Sequence, residues 1–461
     1  MPTISVVILD YHLSIVYNLT MKILTIFIIS IISTATAAYT ISGISSGGFM
    51  AQQMATIYSQ SIEGVATVAG GYYYCALDYL PKKVEQDRAT LGEQNLFLYE
   101  PSNKALSDSL NPLVIFSGEI NPVTWFKPSI GNPIYQAVSE CMLNPDHTKI
   151  NYSYIKKNVE KNLIDHTDNI KDQKVLIFHG KKDSVLDIKM QNKLLSFYQH
   201  YNLPKENLKV IKGKGSHNFP ISEKKGIDCD KEDVPYLGNC QYDLAYEILS
   251  HLNQITADKS DINEDNLYMI DQTISKENIN RGMKTFKQPS NSIAPYGYLY
   301  ASEACLNNPE SCRLHVALHG CKMSDSYNDE FQQSYQTQVQ NTKDLHVKTK
   351  SRNRLLGKVS ITDKTNRFGL LKFVLDSDYL KYAEKNHLMI LFPQTWITEK
   401  NFPYNPKGCW DWFGWTTEQY ATNQGIETKW MHAWIKNVSV NPKEFLINER
   451  PHIKEMRDFF K

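Results

Sequence analysis

Three features of this 461-residue sequence predict an α/β fold in which a mainly parallel sheet carries helices on both faces. Short apolar segments typical of strands alternate with helical segments, and this order forms parallel sheets. A Gly-x-Ser-x-Gly turn at 43–47 lies between the first such strand and the first helix. An aspartate, Asp183, and a histidine, His217, each follow a later strand. The same three features also predict where the chemistry is located.

The predicted strands are short and mostly apolar, and they lie at 39–42, 65–69, 113–117, 174–178, 208–211, 296–302, 313–318 and 388–392. The predicted helices lie at 49–58, 133–142, 189–201, 243–252 and 379–386.

The polar segment 257–287 has no strong period, so no element is predicted within it. The segment 331–368 is dense in Lys, Arg, Gln and Asn and predicts a surface insertion, with a nucleic-acid-binding patch as the alternative. With a net charge of +1, the whole chain offers no argument for nucleic-acid binding.

The N-terminus has the pattern of a secretory signal peptide. Met21 and Lys22 precede an apolar run at 23–32, and small residues follow as far as Ala38. This pattern predicts cleavage after Ala37, and the run is too short to span a bilayer comfortably. An uncleaved membrane anchor is the alternative. We therefore expect 1–37 to be an upstream extension plus signal peptide, with Met21 as the true start, and 38–461 to be a single catalytic domain without a stable membrane anchor.

The eight cysteines fit an exported protein with four disulfides. Short separations favour the pairs Cys229–Cys240 and Cys305–Cys312. Proximity leaves the pairing of the other four open, and these are Cys75, Cys141, Cys321 and Cys409. No Cys-x-x-Cys pair or Cys/His cluster has zinc-site spacing, so no metal site is expected.

The turn Gly43-Ile44-Ser45-Ser46-Gly47 has the pattern of a nucleophile elbow. Such a turn raises a serine hydroxyl, here that of Ser45, to the top of the sheet. Glycines permit the close backbone approach that the turn requires. Ser46 would present its backbone N–H at a helix N-terminus, where a negative oxygen is stabilised.

A serine nucleophile needs a base and an acid that orients the base. In α/β-hydrolases the chain order is serine, acid, histidine, and Asp183 and His217 fit that order after Ser45. Asp187 is the rival acid. It lies four residues further on, where a helix is expected to begin and N-capping explains it.

A second oxyanion donor is expected from the Leu318-His319-Gly320-Cys321 loop, through the backbone N–H of Cys321. The His179-Gly180 pair competes for this role, but it adjoins the acid. His319 is interpreted as a packed or loop-shaping histidine, with metal ligation as the alternative.

The position of Ser45 predicts a circular permutation. An α/β-hydrolase usually supplies several strands before its elbow, whereas Ser45 lies only eight residues beyond the expected cleavage site. The missing strands must then come from after His217. Chain termini that lie close together make such permutation tolerable.

Several blocks of this sequence resemble the poly(3-hydroxybutyrate) depolymerases, in their circularly permuted, single-domain form. The blocks span most of the expected mature chain, and they are GISSGGFMAQQM (43–54), VATVAGGYYYCA (65–76), GSHNFP (215–220), YGYLYASEAC (296–305), CRLHVALHGC (312–321), YAEKNHLMILFPQT (382–395) and NPKGCWDWFGW (405–415). The chain departs from the family's pattern in two places, the insertion at 331–368 and a longer polar stretch at 78–110.

The resemblance implies the site residues as well as the fold. Ser45 would be the nucleophile, Asp183 the acid and His217 the base, with backbone donors at Ser46 and Cys321. It implies two further disulfides, Cys75–Cys141 and Cys321–Cys409. It also implies that Trp410 and Trp412 help line the substrate cleft, although core packing explains one of the two.

The expected function is that of a secreted, monomeric serine esterase. Its substrates would be poly(3-hydroxybutyrate)-type polyesters or their oligomers, and it would need no cofactor. A carboxylesterase acting on soluble or carbohydrate-linked acyl groups is one alternative. A non-catalytic secreted binding protein on the same fold is the other.

Deletion of 331–368 should leave the hydrolysis of short soluble esters nearly unchanged, because no predicted triad or oxyanion residue lies within it. Hydrolysis of a polymer emulsion can change in either direction, since the segment follows the oxyanion loop. Turnover of a p-nitrophenyl ester by the deletion variant is the measurement. A folded variant that has lost this turnover would place the segment in the active site.

Overall fold

The computed structural model describes residues 38–77, 136–272, 292–294, 296–325, 327, 372–398 and 405–446. Its strands are β1 (Tyr39–Ile44), β2 (Ile62–Val68), β3 (Lys174–Gly180), β4 (Leu208–Gly213), β5 (Phe219–Ile221), β6 (Ile227–Asp228), β7 (Leu237–Asn239), β8 (Leu267–Asp271), β9 (Tyr296–Tyr300), β10 (Arg313–Leu318) and β11 (Leu388–Phe392). Its α-helices are α1 (Ser46–Ile57), α2 (Tyr152–Glu160), α3 (Lys189–His200), α4 (Leu244–Asn253), α5 (Glu303–Asn307), α6 (Lys372–Asp376), α7 (Leu380–Ala383) and α8 (Ile426–Val440).

Eight strands form the main sheet in the order β4-β3-β2-β1-β10-β11-β9-β8. The pairs from β4 to β11 are parallel, whereas β9 and β8 join antiparallel at one edge. A small second sheet has the order β5-β7-β6. On the side of β1 away from β2, every strand follows His217 in the chain, as the predicted permutation requires.

Alternating side chains of the strands enter two hydrophobic cores, one on each face of the sheet. Along β3, Val175 and Ile177 belong to one core, and Leu176 and Phe178 belong to the other. Helices α1, α3 and α8 contribute residues to the first core. Helices α4, α6 and α7 contribute to the second. Strands buried on both faces are typical of parallel sheets covered by helices.

A buried histidine joins β1 to β10 through its side chain. His315 Nδ1 lies 2.8 Å from Thr40 Oγ1, and its Nε2 lies 2.8 Å from Ser42 Oγ. Burial lowers the pKa of His315 to about 3, so the imidazole is neutral and can serve both hydroxyls. The strand that precedes Ser45 is therefore held by side chains as well as by the backbone ladder.

Most predicted elements are present with slightly different bounds. The segment 257–287 is the exception, because it contains β8, which pairs with β9 at the sheet edge. Helix α8 was also not predicted. The helix predicted at 133–142 is a π-helix, Gln136–Leu143. The predicted signal peptide, the strand at 113–117, the stretch 78–110 and the insertion 331–368 lie outside the described residues.

None of the helices in the described ranges is long and apolar enough to cross a membrane.

Replacement of Gly47 by alanine should destabilise the fold by about 1–3 kcal/mol, the usual cost of overpacking. A Cβ at Gly47 would lie 2.4 Å from the carbonyl oxygen of His319 and 2.6 Å from that of Leu318, and neither backbone can yield easily. Urea denaturation measures the change. Ser196→Ala on the exposed side of α3 is the control and should differ from the parent by less than about 0.5 kcal/mol. Equal effects of the two substitutions would contradict the packing argument.

Candidate active site

Ser45 lies at a strained turn between β1 and α1. Its backbone has φ 55° and ψ −122°, a conformation that residues other than glycine rarely adopt. The N–H of Ser45 donates to Val68 O at 2.9 Å, and its carbonyl accepts from Phe49 N at 2.9 Å. These bonds hold the turn on both sides. Such strain persists at functional sites where the surrounding structure over-determines it.

Glycine is required at the first position of the elbow. A Cβ at Gly43 would lie 2.1 Å from the carbonyl oxygen of Gly47, inside any permitted contact. The end of β1 and the first turn of α1 therefore touch through their backbones. This contact explains the glycines of the motif in physical terms.

The structure brings the three predicted triad residues together. His217 Nε2 lies 2.9 Å from Ser45 Oγ, and His217 Nδ1 lies 2.8 Å from Asp183 Oδ2. The other carboxylate oxygen of Asp183 accepts from the N–H groups of Val185 at 2.9 Å and Leu186 at 2.8 Å. With Oδ1 held in this way, Oδ2 is directed at the imidazole.

The charges of this pair favour an ionised acid beside a basic imidazole. Burial by itself would lower the pKa of His217, but the attraction and hydrogen bond of Asp183 raise that pKa above its usual value. Burial would raise the pKa of Asp183, and the charge and hydrogen bond of His217 hold it below the usual range. The carboxylate can therefore stabilise an imidazolium during proton transfer.

The rival acid lies at the start of a helix, where its sequence position places it. Asp187 Oδ1 accepts from Lys189 N, the first residue of α3, at 2.9 Å. Asp187 itself precedes the N-cap residue, Ile188.

The loop that contains Cys321 packs directly against Ser45. A Cβ at Gly320 would lie 3.2 Å from Ser45 Cβ. Cys321 is bonded to Cys409, and Lys322 N donates to Lys407 O at 2.7 Å, so two links join this loop to the segment 405–412. Ser46 begins α1, and its N–H has no intrahelical acceptor. Both expected donors thus lie on segments adjoining Ser45.

No family profile matches this chain. A "Poly(3-hydroxybutyrate) depolymerase" of Delftia acidovorans is 24% identical over 87% of the chain, and a "Polyhydroxybutyrate depolymerase" of Talaromyces funiculosus is 22% identical over 86%. The chain resembles the poly(3-hydroxybutyrate) depolymerases over most of its length. It spans 59% of the Delftia protein and 88% of the Talaromyces protein.

Two solved depolymerase structures confirm the α/β-hydrolase fold. One, from Penicillium funiculosum, has a TM-score of 0.57 at 20% identity and covers 88% of this chain and 96% of that chain. The other has a TM-score of 0.58 at 21% identity with the same coverage.

All eight cysteines are paired as expected. Spacing and the depolymerase resemblance together predicted the bonds, which are Cys75–Cys141, Cys229–Cys240, Cys305–Cys312 and Cys321–Cys409.

The depolymerase resemblance implied that Trp410 and Trp412 line the cleft. This expectation is wrong, because within the described part of the chain both side chains are buried. Trp410 is fully buried, and its Nε1–H donates to His319 O at 3.1 Å. Trp412 is 2% exposed and stacks on Phe49 with ring centroids 3.9 Å apart. Trp410 therefore contacts the loop that precedes Cys321, and Trp412 packs on the helix that follows Ser45. The cleft beside the nucleophile is lined instead by Ile44, Ser45, Val185, His217, Tyr236, Cys321, Lys322, Met323 and Lys407.

Two further histidines shape the loops around the triad. His319 is buried, its Nδ1 lies 2.8 Å from Gly320 O, and burial lowers its pKa to about 4. This supports the interpretation of His319 as a loop-shaping residue. His179 was missed in a supporting role: its Nε2 lies 2.9 Å from Leu186 O and 3.7 Å from Asp183 Oδ2. Its place at the end of the strand before the acid was the available signal.

Among the residues described, no group of three His, Cys, Asp or Glu side chains could hold a metal.

Asp183→Asn should reduce kcat/KM on a p-nitrophenyl ester by about 10⁴-fold, because an amide cannot maintain the imidazole tautomer and its charge. Asp187→Asn is the matched control and should change it by less than about twofold, since the amide oxygen of asparagine can accept the same hydrogen bond from Lys189 N. If Asp187→Asn were the more damaging substitution, the acid would be misassigned.

Proposed function

We propose that this chain is a secreted serine hydrolase that cleaves the ester bonds of poly(3-hydroxybutyrate)-type polyesters or of their oligomers. The observation that carries the proposal is the unbroken hydrogen-bond chain from Ser45 Oγ through His217 to Asp183, at 2.9 and 2.8 Å. The depolymerases that the chain resembles are named for this activity.

The first half of the reaction forms an acyl-enzyme. His217 Nε2 accepts the proton of Ser45 Oγ as that oxygen attacks the ester carbonyl, and Asp183 stabilises the imidazolium. The tetrahedral intermediate collapses when His217 donates this proton to the leaving alcohol. Water, deprotonated by the same imidazole, then attacks the acyl group and releases the acid, and the proton returns to Ser45.

The oxyanion of each intermediate would be held by the N–H groups of Ser46 and Cys321. Each donor of this kind contributes roughly 3 kcal/mol to transition-state stabilisation when it is pre-positioned. The disulfide from Cys321 to Cys409 and the contact of Gly320 with Ser45 supply that pre-positioning.

The cleft has the chemistry that a short aliphatic polyester needs. Ile44, Val185 and Met323 are apolar walls for methyl-bearing units, and Tyr236 adds an aromatic face. A solved depolymerase with the same fold is complexed with an R3HB trimer. We propose short segments of such a polymer as the ligand here.

Export through the predicted signal peptide completes the proposal. Four disulfides within the described residues are typical of proteins that fold in an oxidising compartment. The protein is proposed to act as a monomer without a cofactor.

Ser45→Ala should abolish the hydrolysis of both a poly(3-hydroxybutyrate) emulsion and a p-nitrophenyl ester, with a loss of about 10⁴-fold or more. The substitution removes only the attacking oxygen. Release of 3-hydroxybutyrate units and of p-nitrophenol are the measurements.

A fluorophosphonate should label the parent protein once, at Ser45. Labelling of another serine would refute the nucleophile. Activity on the short ester without any on the polymer would favour the soluble-ester alternative, and a folded protein that neither reacts nor hydrolyses would favour a binding protein.

A further inference from the structure

Four residues from 229 to 232 contact both loops that contain the triad's acid and base. We name this stretch the clamp segment. On the base side, Ser216 N donates to Cys229 O at 3.1 Å, and Asn218 Nδ2 donates to Cys229 O at 2.7 Å and to Lys231 O at 3.0 Å. These bonds hold the two chain neighbours of His217, Ser216 and Asn218.

One carboxylate of the clamp segment joins the two loops directly. Glu232 Oε1 accepts from the backbone N–H of His217 at 3.1 Å and from that of Ser184 at 2.8 Å. Its other oxygen accepts from the hydroxyl of Ser184. Ser184 is the residue after Asp183. Glu232 therefore links the backbone of His217 to the residue next to Asp183, and these two residues, Asp183 and His217, share the 2.8 Å hydrogen bond between acid and base.

We propose that Glu232 is a positioning residue for the catalytic base: its carboxylate fixes the loop of His217 against the loop of Asp183, and its charge favours the imidazolium that forms in each step. The inference rests on the proposed function. Because charge-assisted hydrogen bonds are roughly twice as strong as neutral ones, one carboxylate with three donors is an effective link.

A disulfide holds the clamp segment itself in place. Cys229 is bonded to Cys240, and a Cβ at Gly215 would lie 3.0 Å from either sulfur. Gly215 has φ +94°, a conformation that favours glycine, and lies two residues before His217. The base loop is therefore packed on the disulfide at one point and bonded to Glu232 at another.

The charge of Glu232 acts in the same direction as that of the acid. After the opposing effect of burial, Asp183 raises the pKa of His217 most, and Glu232 adds to it. The other titratable groups that face this imidazole come from the acid strand and from the cleft, and they are His179, Tyr236, Lys322 and Lys407. Asp228 differs from Glu232, since it is exposed and precedes the clamp segment.

Glu232→Gln tests the proposal because it keeps the size of the side chain and removes its charge and one acceptor. We expect kcat on a p-nitrophenyl ester to fall roughly tenfold with KM unchanged. Neutral His217 is the active base, and removing a negative charge destabilises imidazolium, so the acidic limb of the pH profile should move to lower pH.

Asp228→Asn is the matched control, with the same change of charge on an exposed residue just outside the clamp segment. It should change kcat less than twofold and leave the acidic limb in place. Ser184→Ala removes the hydroxyl bond to Glu232, one of its two hydrogen bonds to the acid loop, and keeps both the backbone N–H bond and the charge of Glu232. It should lower kcat a few fold without moving the acidic limb, and it covers the case in which Glu232→Gln fails to fold.

The rate of fluorophosphonate labelling at Ser45, measured against pH, provides the same readout without an ester substrate. A Glu232→Gln variant that loses thermal stability but keeps the parent's kcat and pH profile would overturn the positioning role. A parent protein that is not labelled would instead overturn the proposed function. In that case an NMR titration of His217 in the parent and in Glu232→Gln still decides whether Glu232 acts on the imidazole.

Discussion

The close packing of backbones around Ser45 is the constraint on which the site depends. β1 enters the turn, α1 leaves it, and the end of β10 lies against the first turn of that helix with no room for a side chain at Gly47. A backbone with φ 55° costs about 1–3 kcal/mol and persists only when its neighbours leave no alternative. Here the neighbours include Val68 O, which accepts the N–H of Ser45 at 2.9 Å. The strained turn and the oxyanion loop are therefore parts of one packing arrangement.

Buried polar groups extend this arrangement away from the cleft. Asp411 lies on the same segment as Cys409, and its carboxylate accepts from Gly414 N at 2.7 Å and Thr416 N at 3.0 Å. Its own N–H donates to Glu427 Oε2 at 2.7 Å, at the start of α8. Burial, together with the charge of Asp411, raises the pKa of Glu427 above its usual value. The loop that anchors Cys321 is thus specified by hydrogen bonds as well as by its tryptophans.

The three residues that meet at the candidate site were predicted from the sequence more fully than the elements that support them. Ser45, Asp183 and His217 each follow a strand within a recognisable loop, so their order alone predicted that they would meet. The strand β8 was missed because its apolar run, 267–270, is only four residues long and lies within a polar, charged segment. Trp410 and Trp412 were misplaced because a motif shows that a residue matters without showing on which side of a loop it packs. Glu232 had no local signal, since its partners are two backbone N–H groups and one hydroxyl on loops 15 and 48 positions away.

The permuted order of the strands has a consequence for when the site can exist. The strand that ends at the nucleophile is the first in the described chain, yet it pairs with β10, and the Ser42–His315 hydrogen bond spans 273 positions. Contacts of such long sequence separation form late and slowly in folding. The oxyanion loop and its disulfide partner Cys409 are synthesised after the whole triad. A nascent chain would therefore hold Ser45, Asp183 and His217 and still lack one wall of the cleft, so the proposed hydrolytic activity would require the last third of the polypeptide.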